Sequence, residues 1–392
     1  MNYAAFRAIL TLSATDNMSR TVNAAIGNAQ TRMAKFGARA QGMGRDMMMG
    51  GGIIAAPFVA ATKAAVDFEE AFTGVTKTWR GTETELENTR KGILAMSRSA
   101  QNTATAEELS AIAESAGQLG IQTKNVLTFT KTIADLKATT NLGDEAAPQF
   151  AKFANITRMP QERFSNLAST VVELGNNMAT TEADIVNFGM RIAGAGAQVN
   201  IPQSKIMGLA AGLSSVGLEA EAGGTAISKT LIELSNRVKT GGAGLAEVAG
   251  ISGMSGAAFA KSFQEDAAGA TVSFIEGLGK IKQEGGNVFQ TLDKLGMGEI
   301  RLRDTLLRAS GAGDLLRKSL NLSSTAWDKN EALTKEAETR YKTTASQMKV
   351  FKNNVTALAI TVGNAIIPAL TSMVGALQSV TTWVADVSER YP

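Results

Sequence analysis

From Ile53 onward, apolar residues recur at spacings of three and four in segments of about 10 to 20 residues, each opened by a capping residue or closed by glycine. Strand-like alternation is not sustained anywhere after Leu12. The two patterns together restrict the body of the chain to packed helices. Its 392 residues can bury a sizeable core, and an apolar fraction of 44 % lies well above that of a disordered chain. The expectation is an all-α fold: an irregular array of helical hairpins with long terminal helices and one short N-terminal strand.

That strand is read from Phe6, Ala8, Leu10 and Leu12, which share one face at period two. The period then changes to that of an amphipathic helix from Ser19 to Met47, stopped by Gly50-Gly51-Gly52. Residues 1–52 form a basic strand-plus-helix arm in this reading, and 53–322 the helical core. Residues 323–352 are expected as one long charged helix, and 353–392 as an uncharged apolar helix that oligomerises or acts on membranes.

Local signals place several helix ends. Thr105-Ala106-Glu107-Glu108 is a capping box, in which the Thr hydroxyl and the Glu carboxylate satisfy exposed amides. Pro160 and Pro202 are expected at first helical positions, where the missing N–H costs nothing. A weak internal echo links Ile112–Gly120, Leu167–Gly175 and Leu209–Gly217. Each has an apolar stripe, a small residue for close helix approach and a glycine suited to a left-handed C-terminal turn. Gly241-Gly242-Ala243-Gly244 reads as a hinge between helices.

Net charge is +3, but residues 1–66 hold seven Lys/Arg against Asp16 and Asp46. This basic arm is either a solvated helix face or an electrostatic contact for DNA or lipid, and it lacks the interleaved aromatics of single-strand binders. A secretory signal is not expected at the opening residues, since only Arg7 is charged among the first ten and the apolar run near Ile53 starts too late.

The absence of His and Cys removes zinc fingers, Ser/His and Cys/His nucleophile pairs, the usual haem and iron–sulfur ligands, and disulfides. No cofactor, metal or catalytic residue is expected. Gly42-Met43-Gly44 and Gly194-Ala195-Gly196 lack a third glycine at the spacing of a phosphate loop, and Gly279-Lys280-Ile281 fails at its last position. A peptidoglycan lytic transglycosylase, which works through one Glu, survives that elimination. Glu114-Ser115 is faintly similar to its motif start, but the longer loop and second element do not follow. Glu69-Glu70 and Glu107-Glu108 point to different sides of a helix and read as solvated helix starts.

From Asn353 to Ala385 there are 33 residues without an ionisable side chain, long enough to span a bilayer. Eleven of them are Asn, Gln, Ser or Thr, which argues against a simple span, and Pro368 is expected to divide the stretch. From the residue before it onward, Ile367, Leu370, Val374, Leu377, Thr381 and Val384 follow spacings of three and four, a heptad seam. Ile367, Leu370, Val374, Leu377 and Val384 are thus the candidate contacts, either with other copies or with a membrane. The shorter uncharged run from Met47 to Thr62 would reach about 24 Å as a helix, short of a hydrocarbon core.

Six stretches carry a resemblance. Glu114-Ser115-Ala116-Gly117-Gln118-Leu119-Gly120-Ile121, Phe153-Ala154-Asn155-Ile156-Thr157 and Leu174-Gly175-Asn176-Asn177 are the first three. Arg191-Ile192-Ala193-Gly194-Ala195-Gly196-Ala197-Gln198-Val199, Leu218-Glu219-Ala220-Glu221-Ala222-Gly223-Gly224-Thr225-Ala226 and Gly363-Asn364-Ala365-Ile366-Ile367-Pro368-Ala369-Leu370 follow. In this order they resemble the core region of phage tail tape-measure proteins.

The resemblance implies a structural protein of long-tailed phages, prophages or tail-like particles, lying as several copies in the tail-tube lumen. It implies assembly in the host cytoplasm with itself, the tail tube protein, tail assembly chaperones and tail tip or baseplate proteins. It further implies control of tail length and departure ahead of the DNA, which would bring transient contact with DNA. Entry of the uncharged stretch into the host inner membrane, or passage into the periplasm, would extend that role. A membrane-active pore former is the alternative from another class. Fully helical, the chain would span about 590 Å, short for a ruler. A very short tail, a fragment, or a ruler segment elsewhere are the three readings of that length.

Overall fold

The computed structural model describes residues 55–390, and the side chains of residues 59–368. The strand expected at 6–12, the helix expected at 19–47 and the basic arm lie outside the described residues. Within them the chain is all-α, with 17 α-helices, three short 3₁₀ turns and no strand. The first eight helices are α1 (Ala55–Thr78), α2 (Glu83–Ser97), α3 (Ala106–Gln118), α4 (Val126–Thr139), α5 (Ala146–Thr157), α6 (Phe164–Asn177), α7 (Glu182–Gln198) and α8 (Gln203–Ser214). Next come α9 (Ala220–Thr240), α10 (Gly242–Ile251), α11 (Gly256–Glu265), α12 (Ala267–Gln283) and α13 (Val288–Lys294). The last four are α14 (Ile300–Ser310), α15 (Gly313–Lys329), α16 (Ala332–Tyr341) and α17 (Thr344–Arg390).

Helix ends follow local chemistry closely. Thr105 accepts from the Glu108 amide at 3.2 Å while the Glu108 carboxylate accepts from the Thr105 amide at 2.8 Å, the expected capping box at the start of α3. Thr82 and Glu85 form a second one before α2. Pro160 and Pro202 are displaced by one position from the expectation. Their ψ values of 134° and 147° are extended, so each is the cap preceding the helix rather than its first residue.

The three echoes diverge at their glycines. Gly120 and Gly217 take φ values of 79° and 75°, and the amides of Ile121 and Leu218 reach back to the carbonyls of Ala116 and Leu213. Those are left-handed helix terminations. Gly175, expected to do the same, instead lies inside α6, which runs on to Asn177; it leaves room for the Glu182 side chain. Gly241 and Gly242, both at positive φ, form the tight junction between α9 and α10.

The chain divides into two units. One is Ala71–Asn353; the other comprises, among the described residues, 55–70 and 354–390. In the larger unit α8 is the central helix, with Ile206, Met207, Leu209, Ala210, Ala211 and Leu213 all buried. Helix α15 crosses it across Gly208 and Gly212: a Cβ on Gly208 would lie 2.5 Å from Ser323 Oγ and 3.0 Å from the Ser319 carbonyl oxygen. Only glycine permits this approach, which buries Ser319 and Ser323. Helix α15 also packs on α6, α9 packs on α7 and α14, and α16 packs on α4 and α6. Phe129 and Phe164 meet edge to face with centroids 4.8 Å apart, joining α4 to α6. Burying each such ring contributes about 2–3 kcal/mol.

The charge-rich segment of residues 323–352 is not the single long helix expected. Asn330 takes the left-handed conformation at φ 51° and ends α15, and a turn at Lys342–Thr343 separates α16 from α17. Charge density is blind to these breaks, because the residue that reverses the chain is a neutral Asn held by distant partners.

Candidate functional site

The candidate contacts Ile367, Leu370, Val374, Leu377 and Val384 all fall on α17, a helix of 47 residues. Pro368 does not divide it as expected. The ring removes one N–H from the i to i−4 ladder, yet helical backbone continues on both sides to Arg390. Ile367 is half-buried, and the side chains of Leu370, Val374, Leu377 and Val384 lie outside the described ones.

In the smaller unit α17 meets α1 through small residues. A Cβ on Gly363 would sit 2.6 Å from the Ala65 Cβ, so the two backbones touch where neither carries a large side chain. Ala61, Ala65, Ala357 and Ile360 are buried, whereas Val59, Val66 and Val355 are exposed. By length and composition alone, Thr344–Pro368 is apolar enough to cross a membrane, a test that a core helix also passes.

In the larger unit, polar side chains bind the α15–α17 segment to the helices of the first half. Asn330 Oδ1 accepts from the hydroxyls of Ser165 at 2.9 Å and Ser169 at 3.0 Å, and Asn166 donates to the Trp327 carbonyl at 2.8 Å. Asn353, at 5 % exposure, donates to the carbonyls of Thr103 and Ala104. Between these points lies a buried cluster. Asp135 of α4 accepts from Tyr341 Oη of α16 at 2.6 Å and from Lys131 Nζ at 2.5 and 2.6 Å. Burial raises the Asp135 carboxyl above the ordinary carboxylate range, opposed by the charge and hydrogen bond of Lys131 and by the Tyr341 hydroxyl. Tyr341 is pushed up more strongly, first by burial and then by the adjacent carboxylate. The cluster is a structural joint: its carboxylate is enclosed and fully engaged.

One cleft of about 550 Å³ opens between α10, α12 and α13, lined by Glu247, Ile251, Lys280, Glu284, Lys294 and Leu295 among others. Glu114, the residue weighed for transglycosylase chemistry, lies on α3 with its carboxylate over Gly74 and accepts from Gln118 at 3.1 Å. Among the described residues no group of acidic side chains could hold a metal ion.

Residues 90–298, more than half of the chain, match the family described as phage-related minor tail proteins. The chain belongs to that family. This minor tail protein is therefore a structural component of a phage tail, associated with other tail components. No curated protein and no solved structure matches it. The matched segment ends between α13 and α14, so α15, which covers Gly208 and Gly212, lies beyond it. The minor tail protein's body is thus completed by helices C-terminal to the family segment. Sequence reasoning missed Asn330, Tyr341 and Asp135; the only local signal was polar residues interrupting helical stripes, as Asp135 does in α4.

Proposed function

We propose that this minor tail protein is a tape-measure protein. In this reading it occupies the tail-tube lumen as several copies, nucleates tube polymerisation with the tail chaperones, sets tail length and leaves ahead of the DNA. The observation that carries the reading is the family match together with the ordered resemblance, which continues past the matched segment into α17 at Gly363–Leu370. Supporting it, α17 extends about 70 Å as an unbroken helix. The 71–353 unit is compact, so length control falls on α17 and on whatever of the body unravels in the tube. Ile367, Leu370, Val374, Leu377 and Val384 would bundle the copies.

The test is tail length in electron micrographs. Removing 28 residues of α17, four heptads, shortens the tail by about 42 Å, and duplicating them lengthens it by the same amount. Duplication keeps the test decisive where the deletion blocks assembly, and tails of unchanged length reject the reading. The apolar length of α17 supports a second activity, entry into the host inner membrane. Purified protein then releases dye from liposomes and Val374→Asp abolishes the release; no release by the wild type removes this activity.

A further inference from the structure

Helices α13 and α14 form a corner whose outer surface is unusual for a chain this sparing of aromatics. Phe289 is 50 % exposed, Ile300 at the head of α14 is 74 % exposed, and Ile232 on the adjoining α9 is 43 % exposed. Large apolar side chains gathered on a surface mark contact sites more often than singly scattered ones do. The Arg303 guanidinium lies 4.9 Å from the Phe289 ring centroid, holding the ring in place by a cation–π contact. Arg303 stands one turn beyond Ile300, so both belong to the same face of α14. Lys229 of α9 pairs with Glu299, which brings the next turn of α9, and Ile232 with it, to the same corner.

The charges of this corner are unbalanced. Three carboxylates, Asp293, Glu299 and Asp304, stand against five cations, Lys229, Lys294, Arg301, Arg303 and Arg308; Glu299 is spent on Lys229 and Asp304 on Arg308. Arg301 and Arg303 have no carboxylate within ion-pair distance among the described residues. What remains is an apolar centre of Phe289, Ile300 and Ile232 beside two uncompensated guanidinium groups, the aromatic-plus-arginine composition of interface hot spots.

We propose that the α13–α14 corner is a docking surface for an acidic protein partner. The partner sets an apolar side chain against Phe289 and Ile300, and its carboxylates pair with Arg301 and Arg303, bidentately where geometry allows. Nucleic acid fits less well: the aliphatic centre of Ile300 and Ile232 offers a phosphate backbone nothing, and only two guanidinium groups are left to follow it. Two-fold pairing of the corner with its own copy would bring arginine against arginine. The inference does not depend on the tape-measure reading and stands for any tail role of the chain.

The test is a photo-crosslinking residue, benzoylphenylalanine, placed at Ile300 in the full chain and irradiated in purified tails. The same residue at Lys261, exposed on α11 and not one of the corner's residues, gives the background. The expected result is one crosslinked tail protein joined through an acidic peptide. Arg301→Glu with Arg303→Glu then weakens binding of that purified protein on the order of thirtyfold, with the helical circular dichroism unchanged. Raising the salt weakens the wild-type pair as well. Crosslinking to DNA, to a second copy or to a peptide without carboxylates overturns the proposal. So does a yield no higher than that at Lys261, or binding indifferent to both charge reversals.

Discussion

Tyr341→Phe removes one hydroxyl from the joint between α16 and α4 and leaves the ring in place. In the native protein the Asp135 carboxylate accepts from that hydroxyl at 2.6 Å and from Lys131 at 2.5 and 2.6 Å. A hydrogen bond to a charged group contributes about 1.5–3 kcal/mol. Because Lys131 still serves both oxygens, the lower half of that range applies, about 1.5–2 kcal/mol. The sign of the pH dependence follows from Asp135. Its carboxyl is raised in the fold, so the stability it contributes is present below its unfolded value and is lost as pH rises through the folded one. Removing the Tyr341 donor raises the carboxyl further and deepens that loss, so the variant diverges from wild type at neutral pH and approaches it in acid. Urea unfolding followed by intrinsic tryptophan fluorescence and by far-UV circular dichroism, at pH 7.5 and 4.5, measures both quantities. A difference below about 0.5 kcal/mol at pH 7.5, or one equal at the two pH values, refutes the assignment of Asp135 as the charged acceptor.

Three further outcomes follow from local geometry. Thr105→Ala removes the oxygen that caps α3 and lowers stability by about 1 kcal/mol in the same assay, while Thr105→Ser restores it. Gly277→Ala drives a Cβ into the Ile251 backbone carbonyl and costs about 1–3 kcal/mol by forcing α10 from α12. Gly194→Ala, inside α7 with open space around the added methyl, raises stability by up to about 1 kcal/mol.

The proposed tape-measure role would place a physical requirement on the fold. A protein that must leave its folded body gains from joints that water can replace. Asn330 with Ser165 and Ser169, and Asn353 with Thr103 and Ala104, are such joints: each loses a neutral hydrogen bond on opening and regains one to solvent. The central crossing of α8 and α15 is of the other kind, a close helix approach at Gly208 and Gly212 that encloses Ser319 and Ser323.

Much of this protein follows from sequence alone, because the signals act over one or two turns. The helical period, the Thr105–Glu108 box and the left-handed Gly120 and Gly217 involve only neighbours along the chain, and each is found where its residues place it. The same reasoning misplaced Gly175, Pro368 and the charged segment. At those positions neighbouring residues permit more than one outcome, and packing selects among them. Gly175 stays helical beside the Glu182 side chain; Asn330 reverses the chain where serines more than 160 residues away donate to its side chain. Tyr341 finds Asp135 across 206 residues, a pairing that no local pattern encodes. Sequence determined that the chain is helical and where most helices end, since backbone hydrogen bonding and capping are local. Which helices meet, which polar groups are buried together and which apolar face is left for a partner were decided by tertiary structure, since burial depends on residues far apart in the chain.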